Sequence, residues 1–356
     1  MGDYPSRSEN ATAGDLAATS SRGPGAGYGT SPSSYNEPPL GGGGALPKKS
    51  RFSIETGFRA LSTASGAMVL VIIIAIAVFL ISKAAPALSA NDANFFTELK
   101  WFPNESTPSF GIAALAFGTV LSSIIALIVS VPIALSIALF LSHYAPKRLA
   151  TPLGFVIDLL AAVPSVVFGL WGRDIFQQPV RDFSIWLNEY FSWIPLFGGD
   201  GPFGQSVMLG GLVLAIMVLP IVTSLSREVF QQTPGMNEEA ALALGATRWE
   251  MIRTAVLPYG KPGVIAAVML GLGRALGETI ALALTLSIAF DISFNLIENG
   301  GNSIAANIAN SFGEANATGR GALIASGLVL FAITLVVNMT ARAIIYRRRE
   351  FRDSAA

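Results

Sequence analysis

The sequence predicts an all-α integral membrane protein with six transmembrane helices, and three observations carry that prediction. Of 356 residues, 52% are hydrophobic and only 13% charged, and the apolar residues come in long blocks. Six blocks reach the ~20 helical residues that a bilayer core requires. Lys and Arg gather on one side of the resulting topology.

Residues 1–47 are rich in Gly, Ser, Pro, Ala and Asn, include the run Gly41 to Gly44, and contain no apolar block, so a disordered cytoplasmic tail is expected. They lack the early apolar core of a cleavable signal, because the first hydrophobic block starts beyond Leu61. A single membrane domain is expected over 48–346, followed by a short basic cytoplasmic tail, 347–356. The six spans run from Thr63 to Ser82, Gly111 to Leu141, Leu153 to Phe176, Val207 to Phe230, Pro262 to Phe290, and Gly321 to Ile345. Pro132 and Pro164 fall inside the second and third spans, where neighbouring helices can absorb a lost backbone bond. Asp158, near the start of the third block, reads as a sign that the chain enters the bilayer later. The connection from Gln177 to Ser206 carries Phe191, Trp193 and Phe197 among Gly and Pro, as an interfacial aromatic belt or a re-entrant segment does.

With the N-terminus inside, fifteen Lys and Arg residues flank the spans on the cytoplasmic side, from Lys48 to Arg352, against five outside: Lys83, Lys100, Arg173, Arg181 and Arg320. Both termini are therefore expected in the cytoplasm. Over the whole chain 23 basic residues balance 23 acidic ones, which leaves no excess charge to favour nucleic acid as a partner. The absence of cysteine excludes disulfides and thiolate chemistry, and the lone His143 cannot make a metal centre. No cofactor is expected. Gly260, Lys261 and Pro262 lack the Ser or Thr and the glycine spacing of a nucleotide loop, so neither ATP binding nor an enzymatic activity is expected.

Arg274 and Glu278, in GLGRALGETIALALTL, lie deep within the fifth apolar block. An ionisable residue is retained at such depth mainly where it faces protein or a solvated pathway. Their i, i+4 spacing on a continuous helix places both on one face, one turn apart. A guanidinium offers five N–H donors to an oxyanion that has lost its water, so Arg274 is the candidate substrate contact. Glu278 would balance that charge while the pathway is empty, or accept a proton-bearing oxygen. The alternative is a buried ion pair that fixes helix register. Gly273 and Gly277 permit close helix approach. Thr279, Thr285 and Ser287 add hydroxyls, for which back-bonding to helical carbonyls is the expected use.

Between the fourth and fifth spans, over 236–258, the chain reads MNEEAALALGATRWEMIRTAVLP: a helix, a glycine turn, a second short amphipathic helix and a proline stop. Trp249, Met251 and Ile252 offer apolar anchors for another protein's groove, unless the segment packs on its own helices. The pattern Glu239-Ala240-Ala241, three residues, Gly245, then nine residues leading to Leu257-Pro258 resembles the EAA loop of bacterial ABC importer permeases; Ala255 stands where that family often has isoleucine. DLLAAVPSVVFGLWG, LPIVTSLSREVF, GLGRALGETIA and SIAANIANSFGEA are further similar to permease subunits of the bacterial high-affinity phosphate importers, across most of residues 55–345. Arg173 and Asp174 depart from the apolar continuation of that family.

The resemblance implies a type I ABC importer permease fold in the bacterial inner membrane. It implies a subunit that imports inorganic phosphate at the expense of ATP, with Arg274, Glu278 and Thr279 on the substrate pathway. Glu239, Ala240, Ala241, Gly245, Leu257 and Pro258 would couple it to a pair of ATPase subunits. A second permease subunit and an external phosphate-binding protein complete the implied assembly. Two other readings stand beside it: a permease for another oxyanion such as molybdate or sulfate, and a stand-alone proton-coupled carrier.

Overall fold

A computed structural model describes residues 54–353, with side chains from 56 to 343; the expected tail over 1–47 lies outside the described residues. Contacts divide the chain into Met1–Ser62, of which only the opening turns of the first helix are described, and Thr63–Ala356, which holds the rest of the fold.

Helix α1 (Ile54–Ala90) is apolar on every side, and its large side chains from Met68 to Ile81 are exposed. Its far end is packed through Ala84 and Ala87, which sit in a cluster with Phe95, Trp101, Phe110 and Leu115. The hairpin β1 (Trp101–Phe102) and β2 (Ser109–Phe110) pairs Trp101 with Phe110, whose rings meet edge to face at 5.7 Å. Helix α2 (Ala113–Leu139) follows and ends in a π turn, Phe140–Tyr144. Several of its buried hydroxyls bond back to its own carbonyls, Thr119 to Leu115 at 2.7 Å and Ser123 to Thr119 at 2.8 Å, whereas the Ser130 hydroxyl has no partner among the described residues. Back-bonding is how an apolar interior tolerates such groups.

The third span departs from expectation. Helices α3 (Lys147–Ala161) and α4 (Ser165–Trp171) meet at a break of 89°, rather than forming one rod from Leu153 to Phe176. Pro164 explains it: with φ −61° and ψ 140° it stands outside helical geometry and begins α4 as its cap. The chain then continues through a π turn, Gly172–Phe176, into α5 (Gln177–Phe191), so half of the expected aromatic connection is helical. One face of α5 buries Val180, Ser184 and Leu187; the other exposes Phe183, Trp186 and Tyr190, with Phe183 stacked on Trp186 and Tyr190 tilted against it at 42°.

Helix α6 (Val207–Gln231) is the central element. It is apolar all round and correspondingly buried on all sides, packed chiefly on α2 and on the later helix α9. Then come α7 (Gly235–Ala243), α8 (Arg248–Met251), a π turn at Ile252–Val256, α9 (Leu257–Gly277), α10 (Ile280–Thr285), α11 (Ile304–Ser311) and α12 (Ala317–Asp353). The expected basic tail from 347 thus begins as a continuation of α12. Among the described residues five helices are long and apolar enough to cross a membrane, and the expected six are reached when the bent α3–α5 segment counts as one span.

Two further expectations are corrected here. The fifth span is not one helix to Phe290: α9 stops at Gly277, and Glu278 is extended, with φ −68° and ψ 128°. Leu257-Pro258 is not a stop either, because helix runs unbroken from Arg248 to Gly277. Proline removes one backbone donor and crowds the preceding turn; the π turn at Ile252–Val256, directly before Pro258, widens that turn and lets the helix pass.

Candidate functional site

Arg274 lies in the last turn of α9, half-buried, on a cavity of about 630 Å³ between α6, α9 and α12. Ile221 of α6, Met269 and Leu270 of α9, and Asn338 and Arg342 of α12 form its walls. Among the described residues no carboxylate lines it. The Arg274 Nε is buried and has no hydrogen-bond partner among the described residues. A buried N–H left without an acceptor is destabilising, and an acceptor placed in the cavity would relieve that state.

Glu278 does not share this environment. The helix ends between the two residues, so the i, i+4 register that would bring them together is lost, and no ion pair joins them among the described residues. The expected common face and the alternative of a register-fixing pair both fail on this point. Glu278 is 8% exposed and turns toward α10, where its Oε1 accepts a hydrogen bond from the Ala281 amide at 3.3 Å. The carboxylate thus serves one of the free N–H groups at a helix start. Thr279 donates to the Gly277 carbonyl at 3.2 Å, closing the same break, and Thr285 back-bonds to Ala281 as expected. Among the described residues nothing stands within 4 Å of where a Cβ on Gly273 or Gly277 would be, so neither supports a close helix contact among them.

The loop between α6 and α9 is built as the sequence predicts up to its second helix. Gly245 takes φ +86°, a left-handed conformation that glycine adopts without steric cost, and turns the chain out of α7. Thr247 then caps α8 reciprocally with Glu250: the Thr247 amide donates to Glu250 Oε2 at 2.8 Å, and the Glu250 amide to Thr247 Oγ1 at 3.3 Å. The Thr247 backbone donor, seconded by its hydroxyl, holds the Glu250 carboxyl below the ordinary glutamate range. At the start of α7, Glu238 lies 3.4 Å from His143 Nε2, tying the loop to the π turn after α2.

The two faces of this loop differ from expectation. Met251 and Ile252, expected as anchors for another protein, are buried with Ala138, Phe230 and Val256. Trp249 is exposed as expected, and Met236 and Leu244, 80% and 90% exposed, join it. Glu239, Ala240, Gly245 and Pro258 are exposed, whereas Ala241 and Leu257 lean on the buried cluster. Sequence reasoning also missed Asn338 and Arg342 as neighbours of Arg274. Their i, i+4 spacing was legible, but Arg342 had been counted only as a flanking charge.

Residues 130–350 match the family described as the binding-protein-dependent transport system inner membrane component. A protein of Mycobacterium tuberculosis named phosphate transport system permease protein PstC 2 is 46% identical over 292 residues, which cover 81% of this chain and 90% of that protein. The phosphate transport system permease protein PstC of Mycobacterium leprae is 46% identical over 75% of this chain and 86% of its own length. That of Xylella fastidiosa (strain Temecula1) is 39% identical over 82% and 90%. Among solved structures, a chain of a bacterial ABC transporter involved in the import of the acidic polysaccharide alginate is similar in fold. Its TM-score is 0.50 at 18% identity, covering 80% of this chain and 97% of that one.

Proposed function

The chain belongs to the binding-protein-dependent transport system inner membrane component family, and from that premise we propose that it is the permease subunit of an ATP-driven importer of inorganic phosphate. The observation that carries the reading is the 46% identity, spanning nine-tenths of the relative, to a protein named as a phosphate transport permease. The relatives favour phosphate over molybdate or sulfate, and a multi-subunit importer over a stand-alone carrier. The chain is a multi-pass membrane protein and works with other subunits. Those subunits are a second permease, a pair of ATPase subunits and an external phosphate-binding protein, with both termini of this chain in the cytoplasm.

Each geometric feature has a place in that scheme. Met236, Leu244 and Trp249 are exposed apolar side chains on the same loop as the exposed Glu239 and Ala240, and large apolar side chains of this kind dock into another protein's groove. The ATPase pair supplies that groove. Helix is continuous from Arg248 to Gly277, 30 residues or ~45 Å at 1.5 Å per residue, so Trp249 and Arg274 sit on one helix, whereas Met236, Glu239 and Leu244 precede the Gly245 turn. A displacement of α8 by the docked partner is thereby passed along α9 to Arg274. Arg274 supplies charge-assisted hydrogen bonds to phosphate as the cavity opens to one side and then the other. Gly273 and Gly277, uncovered here, are where the second permease approaches.

Deleting Glu239 to Gly245 tests the coupling: the protein should still insert in the membrane while phosphate uptake is lost. Normal uptake by that variant, or sustained uptake by the permeases reconstituted without any ATPase, contradicts the reading.

A further inference from the structure

We propose that Arg342, together with Asn338 one turn before it on α12, is a second anion contact of the Arg274 site, so that the transported oxyanion is held between two guanidiniums. This deepens the reading of the chain as an oxyanion permease and rests on it.

Three observations lead there. Arg274 and Arg342 reach the same cavity from two packed helices, α9 and α12. Neither forms an ion pair among the described residues, and the cavity wall contains an amide and apolar side chains but no acid. Moreover the Arg274 Nε is buried without an acceptor. Two like charges facing one space repel each other, here only partly, because Arg274 is half-buried and Arg342 is exposed. A dianion between them turns that repulsion into two attractions. Inorganic phosphate near neutral pH carries between one and two negative charges; two guanidiniums neutralise the dianion and leave one positive charge beside the monoanion.

Asn338 adds what guanidinium lacks. Arginine only donates, whereas the amide offers a carbonyl acceptor as well as two donors. A phosphate oxygen that still bears its proton needs such an acceptor. Glu278, the carboxylate four positions beyond Arg274, is occupied with the Ala281 amide and lies outside the cavity wall. A volume of about 630 Å³ exceeds what one tetrahedral oxyanion fills, so the ion is accompanied by water or by side chains of the second permease.

The test uses the complete transporter in ATP-energised membrane vesicles, with labelled inorganic phosphate at saturating concentration and co-purification of the subunits as the measure of assembly. Arg342→Gln should assemble normally and transport about tenfold more slowly, the loss expected for one charge-assisted contact. Arg342→Lys, which keeps the charge and loses the fork, should recover part of the rate; a purely structural arginine gives no reason for that order. Asn338→Asp, which places a carboxylate on the cavity wall, should slow uptake by tenfold or more. Wild-type rates in assembled Arg342→Gln overturn the inference. If Arg274→Gln is inactive in the same preparation, the oxyanion reading survives that result; if both variants transport normally, the reading falls as well. Where Arg342→Gln does not assemble, Asn338→Asp decides, and a normal rate in it overturns the inference.

Discussion

Arg274 and Glu278 stand four positions apart on the two sides of a helix end: the guanidinium faces the cavity, and the carboxylate caps α10 through the Ala281 amide at 3.3 Å. The two groups therefore have separable jobs. Glu278→Ala should lower the stability of the purified protein by about 1 kcal/mol, the usual cost of a lost helix cap. Glu278→Gln keeps the acceptor and should restore most of it. Thermal unfolding of both variants in one detergent measures the difference, and equal losses in the two would contradict the capping role.

The loop presents one face outward and buries the other, so neighbouring substitutions should fail differently. Leu244→Asp, at 90% exposure, should leave unfolding unchanged and abolish co-purification with the ATPase. Ile252→Ala, fully buried, should cost about 2–5 kcal/mol of stability through the cavity it leaves. A destabilised Leu244→Asp would show that the face is covered within this chain.

Gly245→Ala adds a Cβ where φ is +86° and nothing crowds the site, so the only penalty is conformational, about 1–2 kcal/mol. The variant should insert normally, with a loop more easily cut by protease and slower phosphate uptake. An unaltered protease pattern would show that the turn does not depend on glycine.

The Thr247–Glu250 cap gives the loop a pH dependence of definite sign. The Glu250 carboxyl is held below its ordinary value by the Thr247 amide. Its contribution is therefore fully present above the unfolded-state glutamate range and is lost as pH falls through the lowered folded value. Protease resistance of the loop should fall at acid pH in the native chain and fall less in Glu250→Gln, which cannot titrate. Identical acid profiles would contradict the assignment.

Much of this was legible in the sequence, and the residues that were not share a physical cause. Apolar blocks mark α1, α2, α6 and α12 because the bilayer demands length and hydropathy alone. The same signal is blind to breaks. Pro164 looked like a tolerable kink, and only its extended backbone turns the third span by 89°. Gly277 was legible as a small-residue contact, whereas its structural use is to end α9 just before Glu278. Periodicity likewise gave the loop two helices without saying which face its own α2 and α6 would cover, and that decided Met251 and Ile252 against Trp249 and Leu244. Arg342 had been read by its distance from the membrane edge. Its neighbour across the cavity, 68 positions earlier, is a matter of tertiary packing that spacing does not reveal.

The most direct measurement is Arg274→Gln in the complete transporter, assayed at once for co-purification of the subunits and for ATP-driven uptake of labelled phosphate. The account predicts a complex that assembles in normal yield and does not transport. An assembled complex that accumulates phosphate at the wild-type rate, or one that fails to assemble while transport-silent substitutions on the same helix assemble normally, would contradict it.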